Sequence, residues 1–450
     1  MKRFENIKIG ISGIRGIVGD TLNPGNVVSL TRAFATLIRR GRVAVAKDSR
    51  LSGDTIKRAV FSGLLFSGIT PIDTFTLPTP SLQIYVKEKK WAGGIIITAS
   101  HNPEQWNGLK FVNSDGLFLF PFTALNLIDL YHQGSFNIPA ENLFPGIEEE
   151  RKAFAVHKNK IMPIIDREHI KKKKFKVLVD PGGGVGAFYD KELLESLGCE
   201  VEMINAEMGC TFPRGPEPTE KNLAETSAYM KKGDFDIGFA QDPDADRLSI
   251  LDETGRAIGG ELTLSTALYG YLSKRKSGKI VVNLSTSRVI EDVARKFDID
   301  VVKSPVGEIN VVETMIKEKA LAGGEGNGGI IIPEVHYCRD SFTGMALVLD
   351  LMAGSDKKIS QIIDEFPGYK MIKAGMPFSM TGAHKVVTLL KEEYPSANTL
   401  DGLRVDEENY WFHIRPSNTE PVLRIVAEGK AGEIENIVDD LKNKIRNMGE

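Results

Sequence analysis

Short apolar runs alternate with amphipathic segments along roughly the first 370 residues of the chain. Runs at 42–46, 72–77 and 94–98 have the length and β-branched content of buried strands, whereas residues 54–66 carry apolar side chains at helical spacing. A strand, a helix and a further strand in this order indicate a β-α-β unit. Because the same alternation begins again twice, the pattern predicts three α/β domains.

The pattern changes after about residue 366. Strands are predicted at 410–414 and 422–426, with a polar loop between them and a closing helix at 432–447. These elements indicate a small fourth domain. We therefore predict an α/β fold of four domains, with three similar mixed-sheet domains and a smaller α+β C-terminal domain. The predicted domains are 1–155, 156–257, 258–368 and 369–450.

Composition narrows the classes of protein to which the chain can belong. Its 450 residues are 42% apolar, and the formal net charge of −3 gives no basic excess for nucleic-acid binding. Cys199, Cys210 and Cys338 have no metal-ligand spacing and indicate reduced thiols. Because no apolar run reaches the roughly 18 residues that a bilayer requires and no signal-peptide core is visible, we expect a cytoplasmic protein without membrane contact.

A serine follows the buried strand predicted near 93–97. Ser100 lies in the segment 98–103, and ligands of open α/β sheets collect at the carboxyl ends of the strands, where a hydroxyl group is placed for covalent chemistry. A simple turn explains the same Ser, His, Asn and Pro residues. Neither His101 nor a neighbouring acid completes a hydrolase triad in the sequence.

Three carboxylates at alternate positions, Asp242, Asp244 and Asp246, follow another predicted strand. On an extended loop they project to one side and suit a hard divalent cation. An EF-hand is a rival interpretation, because Glu253 occupies the twelfth position, but Arg247 stands where that loop needs glycine and the flanks are predicted strands. A solvated acidic turn is the remaining alternative.

Two further loops carry groups suited to a sugar phosphate. The glycine-rich segment 323–329 leaves Glu325 and Asn327 as its functional side chains, which suit vicinal hydroxyls, although a flexible turn explains it too. The segment 415–421 combines a guanidinium with small polar side chains, which suit a dianionic phosphate. A plain hairpin turn would explain the Pro and Asn residues but not these clustered donors.

These segments resemble, in family order, the motifs of the α-D-phosphohexomutase superfamily, which includes phosphomannomutase/phosphoglucomutase and phosphoglucosamine mutase. The resemblance covers essentially the full chain and includes Thr98–Lys110, with its sequence TASHNPEQWNGLK. It implies an isomerase, an intramolecular phosphotransferase that interconverts the 1- and 6-phosphates of a hexose or hexosamine. The implied intermediate is a sugar 1,6-bisphosphate, which also serves as the catalytic activator, and the implied active site is a central cleft to which each domain contributes one loop.

The resemblance also implies a role for each motif residue. A phosphorylated Ser100 carries roughly −1.5 to −2 charge, so it can lie beside three carboxylates only with a cation between them. The implied Mg²⁺ ligands are Ser100, Asp242, Asp244 and Asp246. The implied catalytic cations are Arg15, Arg247 and Lys110, with Lys110 as a proton carrier. The implied substrate-binding residues are Glu325, Asn327, Arg415, Ser417, Asn418 and Thr419. Without the resemblance, Lys110 would be interpreted as a surface lysine and Arg15 as part of a glycine-rich turn.

The chain departs from the commoner family pattern in the glycine-rich loop. Asn327 stands where serine is usual, and Gly329 stands where histidine is usual. The role of general acid or base would therefore fall to His101, Lys110 or another histidine such as His336. We prefer to interpret His336 as packed structure.

The form of this loop, with Gln105-Trp106-Asn107 after the serine motif, most resembles the phosphoglucosamine mutase branch, and phosphomannomutase/phosphoglucomutase is the alternative. Two remoter functions stay open. One is a Mg²⁺-dependent sugar phosphatase with Asp242 or Asp244 as nucleophile, and the other is a non-catalytic sugar-phosphate sensor. We expect a phosphosugar as the partner, no nucleic acid, and a monomer or homodimer.

Overall fold

The computed structural model of the chain describes residues 8–10, 13–139, 144–209, 211–275, 277–417 and 421–449. Within these ranges the strands form four sheets, one in each predicted domain. None of the helices in the described ranges is both long enough and apolar enough to cross a lipid bilayer. The predicted α/β class with four domains is confirmed.

The first domain is built on a seven-stranded mixed sheet in the order β1-β2-β6-β5-β3-β4-β7. Strands β5, β3, β4 and β7 run parallel, and β1, β2 and β6 extend the sheet antiparallel. Its elements are β1 Lys8–Gly10, β2 Gly13–Ile17, α1 Pro24–Ile38, β3 Arg42–Lys47, α2 Gly53–Leu65, β4 Thr70–Thr76, α3 Thr79–Lys89, β5 Gly93–Ile97, β6 Trp106–Val112, α4 Pro121–Gln133 and β7 Glu148–Glu149.

The second domain carries a four-stranded sheet in the order β11-β10-β8-β9, in which only β11 is antiparallel. Its elements are α5 Ala153–Ile161, α6 Arg167–Lys173, β8 Lys176–Asp180, α7 Gly186–Ser196, β9 Glu200–Met203, α8 Ala224–Met230, β10 Ile237–Gln241 and β11 Leu248–Leu251. The proposed boundary between residues 155 and 156 falls inside α5.

The third domain repeats this plan with the order β13-β12-β14-β15, in which only β15 is antiparallel. Its elements are α9 Gly259–Leu272, β12 Lys279–Asn283, α10 Val289–Arg295, β13 Asp300–Ser304, α11 Glu308–Glu318, β14 Ala322–Glu325, β15 Gly329–Ile331, α12 Ser341–Ser355 and α13 Ile359–Ile363.

The fourth domain is an antiparallel sheet in the order β16-β19-β18-β17, with two helices packed against it. Its elements are β16 Lys370–Pro377, α14 Met380–Glu393, β17 Leu403–Asp406, β18 Tyr410–Pro416, β19 Val422–Gly429 and α15 Glu433–Gly449. Apolar side chains of this domain form their own core, whereas one continuous cluster of buried side chains runs through the first three domains. The fourth domain therefore packs as a separate unit.

One arrangement recurs in the first three domains and positions the site. A buried parallel strand ends at a loop, and an antiparallel strand leaves that loop and pairs with the first strand: β5 to β6, β10 to β11, and β14 to β15. The strands β5 and β10 are buried along their whole length. The loops at 98–105, 242–247 and 326–328 are therefore the same connection made three times.

Three details of the predicted loops are wrong. Arg15 lies in β2 and Arg415 lies in β18, because both segments pair with neighbouring strands. The segment that begins at Asp242 is a compact turn and not an extended loop, since the Ala245 amide donates to the Asp242 carbonyl oxygen at 3.0 Å.

Candidate active site

Ser100 lies at the carboxyl end of β5, in a loop held by a buried ion pair. Asp48 accepts hydrogen bonds from Thr98 Oγ1 at 2.7 Å and from Arg50 Nε at 3.0 Å, and Thr98 Oγ1 accepts one from the Ser100 amide at 2.9 Å. Arg50 also donates to the carbonyl oxygens of Ser100 and Asn102. The backbone of Ser100 is left-handed, with φ 48°, and these bonds hold it there.

The three aspartates of the second domain meet this serine. Ser100 Oγ donates to Asp242 Oδ2 at 2.9 Å, although 142 residues separate the two. One oxygen each of Asp242, Asp244 and Asp246 lies within 4.8 Å of the others, and all three side chains are buried. The turn depends on Ala245, whose φ of 57° is left-handed.

Lys110 neutralises part of this negative charge. Its Nζ lies 2.7 Å from Asp244 Oδ2 and 3.2 Å from Asp246 Oδ2, and the side chain is 1% exposed, so it is no surface lysine. Burial opposes the lysine charge, but the two aspartates outweigh it and raise the pKa of Lys110. Burial, with the charges of Asp246 and Asp244, raises the pKa of Asp242 well above its usual range.

The aspartate cluster fits a divalent cation. Asp244 Oδ1 and Asp246 Oδ1 are buried, yet neither has a hydrogen-bond partner within the described part of the chain. Buried oxygens normally have such a partner. Hard cations such as Mg²⁺ prefer carboxylate and hydroxyl oxygens, and the set formed by Ser100, Asp242, Asp244 and Asp246 supplies only such atoms.

Arg15 and His101 border the serine from the cleft side. Arg15 Nη1 donates to Asn102 Oδ1 at 2.6 Å, and His101 Nδ1 lies 3.3 Å from Ser100 Oγ. Burial, together with the charges of Arg247 and Arg15, lowers the pKa of His101 to about 2. The imidazole is therefore neutral at pH 7. Burial also lowers the pKa of Arg15.

The glycine-rich loop places Glu325 at the end of β14 and Asn327 in the turn before β15. Glu325 Oε1 accepts from Asn283 Nδ2 at 2.9 Å and from the Gly307 amide at 3.1 Å. Asn327 Oδ1 accepts from the Gly329 amide at 3.1 Å. Gly328 has a φ of 84°, and a Cβ atom there would lie 1.9 Å from the carbonyl oxygen of Leu248, so only glycine fits.

The fourth loop brings a guanidinium to the same region. Arg415 is largely buried, which lowers its pKa, and its Nη1 lies 4.0 Å from Asp401 Oδ2. Ser417 is buried and its amide donates to the Val422 carbonyl oxygen at 2.9 Å, while its Oγ has no partner among the described residues. Asn418 and Thr419 lie outside the described residues.

The four groups of residues surround one cleft of about 670 Å³. All four domains contribute to its walls, which include Arg15, His101, Glu217, Arg247, Glu261, Glu308, Glu325, Asn327, Arg339, Lys373 and Arg415. Ser100 and Asp246 are buried next to it, in contact with the wall residues His101 and Arg339, and both connect to the buried Lys110, Asp242 and Asp244. A hollow of about 740 Å³ near Arg288 and Lys303 contains none of the predicted site residues.

Some wall residues were not predicted from the sequence. Arg339 pairs with Asp246, Glu325 and Glu308, and Glu217 pairs with Arg247. Burial raises the pKa of Glu308 to about 7 even though Arg339 lies beside it. These charged residues are of common types, and they lie in segments without a recognisable motif. The sequence feature beside Arg339 is Asp340, a residue type that typically caps a helix, and Asp340 does cap α12.

His336 lies elsewhere. It is buried, and its Nε2 donates to the Gly116 carbonyl oxygen at 2.9 Å, so it belongs to the packed interior. Burial lowers the pKa of His336 to about 4, and the ring is therefore neutral at pH 7. It is not among the residues that line the cleft.

Comparison with known proteins gives matches along the whole chain. Models of the four phosphoglucomutase/phosphomannomutase domains match in order: alpha/beta/alpha domain I at residues 6–137, alpha/beta/alpha domain II at 155–255, alpha/beta/alpha domain III at 262–369, and the C-terminal domain at 375–444. The phosphoglucosamine/phosphogalactosamine mutase of Sulfurisphaera tokodaii is 34% identical over 98% of both chains. The phosphoglucomutase/phosphomannomutase of Thermococcus kodakarensis is 34% identical over 94% of this chain and 95% of that one.

Solved structures show the same fold. A phosphoglucomutase/phosphomannomutase family protein from Burkholderia thailandensis superposes with a TM-score of 0.85 at 24% identity, over 98% of both chains. The Aspergillus fumigatus N-acetylphosphoglucosamine mutase, solved with GlcNAc-6P and magnesium, gives a TM-score of 0.64 at 15% identity, over 99% of this chain and 96% of that one.

Proposed function

Because the chain belongs to the phosphoglucomutase/phosphomannomutase family, and is therefore a phosphohexomutase, we propose that it interconverts the 1- and 6-phosphates of a hexosamine by way of a phosphorylated Ser100. The observation that carries this proposal is the hydrogen bond between Ser100 Oγ and Asp242 Oδ2, at 2.9 Å across two domains. A nucleophilic hydroxyl is thereby brought to a cluster of three carboxylates that suits a divalent cation.

The proposed reaction has two phosphoryl transfers. In the first, the bond between Ser100 Oγ and phosphorus breaks, and the free hydroxyl of the sugar phosphate forms a new bond to that phosphorus and loses its proton. The product is a sugar 1,6-bisphosphate, which turns in the cleft and returns its other phosphoryl group to Ser100. A catalytic amount of sugar 1,6-bisphosphate would phosphorylate Ser100 in enzyme that lacks the phosphate.

The charged residues provide positioning and neutralisation, which are the main contributions to catalysis of phosphoryl transfer. We propose that Ser100, Asp242, Asp244 and Asp246 hold Mg²⁺, which when bound would neutralise charge on the transferring phosphoryl group. Arg247 and Arg15 would stabilise that charge from the cleft side.

The proton of the sugar hydroxyl needs an acceptor. His101 is neutral and borders Ser100, and Lys110 lies on the other side of the aspartates. We propose that neutral His101 accepts this proton and that Lys110, whose raised pKa keeps its ammonium group charged, is the donor that the departing Ser100 Oγ needs, since the usual histidine of the glycine-rich loop is replaced by Gly329.

The substrate would be held at its other end and along its ring. Arg415 with Ser417, Asn418 and Thr419 would bind the phosphate that is not reacting, and Glu325 with Asn327 would bind the ring hydroxyls common to both orientations. This division of roles lets the same residues serve the 1-phosphate and the 6-phosphate.

The choice of a hexosamine rests on the form of the glycine-rich loop and on the names of relatives. Four carboxylates line the cleft, at Glu217, Glu261, Glu308 and Glu325, but each already pairs with Arg247, Lys373 or Arg339, so these carboxylates alone do not select an ammonium group at C2. The name of the Sulfurisphaera tokodaii relative supports this choice. The name of the Thermococcus kodakarensis relative supports glucose or mannose phosphate as the alternative. A cytoplasmic location and a monomeric or homodimeric state remain proposals as well.

A substrate panel tests the proposal. Glucosamine, glucose and mannose phosphates are supplied with Mg²⁺ and catalytic glucose 1,6-bisphosphate, and both mutase turnover and inorganic phosphate release are measured. We expect kcat/KM on glucosamine phosphate at least equal to the other two. A tenfold preference for mannose phosphate, about 1.4 kcal/mol in transition-state binding, would overturn the sugar while leaving the mutase reaction intact.

Ser100→Ala is the matched variant. We expect it to fold and to lose more than the ~10²–10⁴-fold that one acid–base group contributes. Intact-mass measurement of the wild type should show the gain of one phosphate. Phosphate release without isomerisation would indicate a phosphatase, and a protein that is never phosphorylated would indicate a sensor.

A further inference from the structure

Arg339 connects three loops of the cleft through one guanidinium group. Its Nη2 donates to Asp246 Oδ2 at 2.6 Å, its Nη1 donates to Glu325 Oε2 at 3.0 Å, and its Nε lies 3.0 Å from Glu308 Oε2. Asp246 belongs to the acidic turn of the second domain, Glu325 to the glycine-rich loop, and Glu308 to the first turn of α11. The side chain is 6% exposed, so these contacts are shielded from water.

The shape of the guanidinium matters for these contacts. It is planar and presents donors along three edges, whereas a lysine ammonium is a single point with freely rotating donors. The two charge-assisted hydrogen bonds through Nη1 and Nη2 therefore fix the separation of Glu325 and Asp246. Among the described residues, Arg339 thus joins the acidic turn directly to the glycine-rich loop.

The path of the arginine explains the glycine at position 329. A Cβ atom on Gly329 would lie 2.3 Å from Arg339 Cδ and 2.8 Å from its Cγ, far inside van der Waals contact. Gly329 is also the register partner of Glu325 in the β14–β15 pair. The stem of Arg339 therefore occupies the space that a side chain at 329 would need, including the histidine that is commoner in this loop.

We propose that Arg339 is a positioning residue of the mutase reaction, which fixes the sugar-binding Glu325 relative to the metal-binding Asp246, and that Gly329 is required to leave room for it. The proposal rests on the proposed function, because it takes the roles of Glu325 and Asp246 from there. Phosphoryl transfer depends on alignment, and a misplacement of about 1 Å can reduce the rate about 10²-fold.

Arg339→Lys is the main test, since it keeps the charge and the stem but loses the planar fork. We expect kcat/KM to fall about 10²-fold, through both a higher KM, because Glu325 is no longer held, and a lower kcat. Calorimetric titration of the chelator-treated protein with sugar phosphate should show weaker binding. Arg404→Lys is the matched control, because the Arg404 side chain is also buried and pairs with a carboxylate, the half-exposed Asp406, but does not line the cleft. It should lower the melting temperature without the change in KM.

Gly329→Ala provides an independent test, because it removes no functional group. We expect it to reproduce the loss in kcat/KM and in sugar-phosphate affinity by displacing Arg339. In an Arg339→Ala background the same substitution should have a much smaller effect, because the other close contact of the new Cβ, with Asn327 Oδ1 at 3.1 Å, needs only a small shift. If Arg339→Ala does not fold, Arg339→Lys and Gly329→Ala alone still decide the question, since both retain the ion-pair charges.

Two results would overturn the inference. One is wild-type KM and kcat in Arg339→Lys, and the other is Gly329→Ala with unchanged kinetics and affinity. A wild-type protein that isomerises none of the sugar phosphates would instead refute the proposed function, and this outcome is distinct because it appears before any variant is made.

Discussion

Lys110→Met should destabilise the protein in the absence of divalent cations, and Mg²⁺ should reverse much of the loss. The substitution keeps a flexible apolar stem of similar length and removes the ammonium that lies 2.7 Å from Asp244 Oδ2 and 3.2 Å from Asp246 Oδ2. The expected effect follows from the charges that remain.

Coulomb energies give the scale of the effect. At an effective dielectric constant of about 20, two like charges 4.8 Å apart, the greatest separation among the ligand oxygens, repel by about 3.5 kcal/mol. Full ionisation of all three aspartates would therefore add about 10 kcal/mol of repulsion, which together with burial raises the pKa of Asp242. The two contacts of Lys110, at 2.7 and 3.2 Å, return about 11 kcal/mol and so slightly exceed that repulsion.

The other cations at the site do not replace Lys110. Arg339 divides its charge among Asp246, Glu325 and Glu308. Arg247 pairs with Glu217 and reaches Asp242 and Asp246 only at 4.0 and 3.9 Å. Local relaxation and entry of water reduce the full Coulomb energy, and removal of one partner from a buried ion pair generally costs about 3–5 kcal/mol. We expect a loss of this size in chelator.

Melting temperatures measured by circular dichroism, in chelator and in Mg²⁺, test this reasoning. A four-domain chain need not unfold in two states, so the midpoint is compared directly between variants. Mg²⁺ should raise the midpoint of Lys110→Met more than that of the wild type. Lys57→Met is the control, because Lys57 Nζ pairs with Asp73 Oδ2 at a distance of 2.8 Å and neither residue lines the cleft. The midpoint of this variant should respond to Mg²⁺ as that of the wild type does. Equal responses of Lys110→Met and wild type, or equal stability in chelator, would refute the charge argument.

Three further predictions concern separate parts of the molecule. Asp244→Asn should reduce Mg²⁺-dependent turnover by more than about 10–100-fold, because that is the effect of losing a residue that only supports a metal ligand, and Asp244 is proposed as a ligand itself. Activity that persists in excess chelator would show that the reaction needs no metal. Arg415→Ala should lower kcat/KM about 10- to 100-fold, as expected for a hydrogen bond to a charged group, through both KM and kcat; wild-type kinetics would show that the phosphate loop is misassigned. Burial lowers the pKa of His336 from 6.5 to about 4, so the unfolded chain binds a proton at this residue more readily than the folded chain does. The contribution of His336 to stability is therefore complete above pH 6.5 and is lost as the pH falls toward 4, by about 2 kcal/mol at pH 5. His336→Asn should flatten that part of the pH–stability curve, and an unchanged slope would contradict the assignment.

The four-domain fold and the position of Ser100 could be predicted because both depend on local pattern. Apolar runs marked β5 and β10, and the residues that follow such strands face a cleft. The fourth domain was predicted less completely. Only Met376 is fully buried in strand β16, and the strand therefore carries no clear two-residue period of buried and exposed positions. Its place beside β19 is determined by pairing along eight residues, which is a tertiary property.

The supports of the site could not be predicted, because their partners are distant in sequence. Asp48 and Arg50 hold the Ser100 loop from the end of β3, about fifty residues upstream. Arg339 reaches Asp246 across 93 residues. Each of these residues is an ordinary charged residue next to an ordinary strand or helix. What distinguishes them is burial beside an opposite charge, which appears only when the sheets are assembled.

The charge of the cleft is therefore a property of the assembled domains and not of any one motif. The acidic turn supplies three carboxylates from the second domain, and Lys110 and Arg339, which compensate for two of them, come from the first and third domains. In each case the cation extends from, or just beyond, the antiparallel strand that leaves a motif loop: Lys110 from β6, and Arg339 after β15. The repeated connection between a parallel and an antiparallel strand thus contributes to the site in two ways. Its loop presents a motif residue, and the strand that follows leads to a cation that pairs with the aspartates of a neighbouring domain. A motif search finds the first of these contributions, and only the packing of the three domains reveals the second.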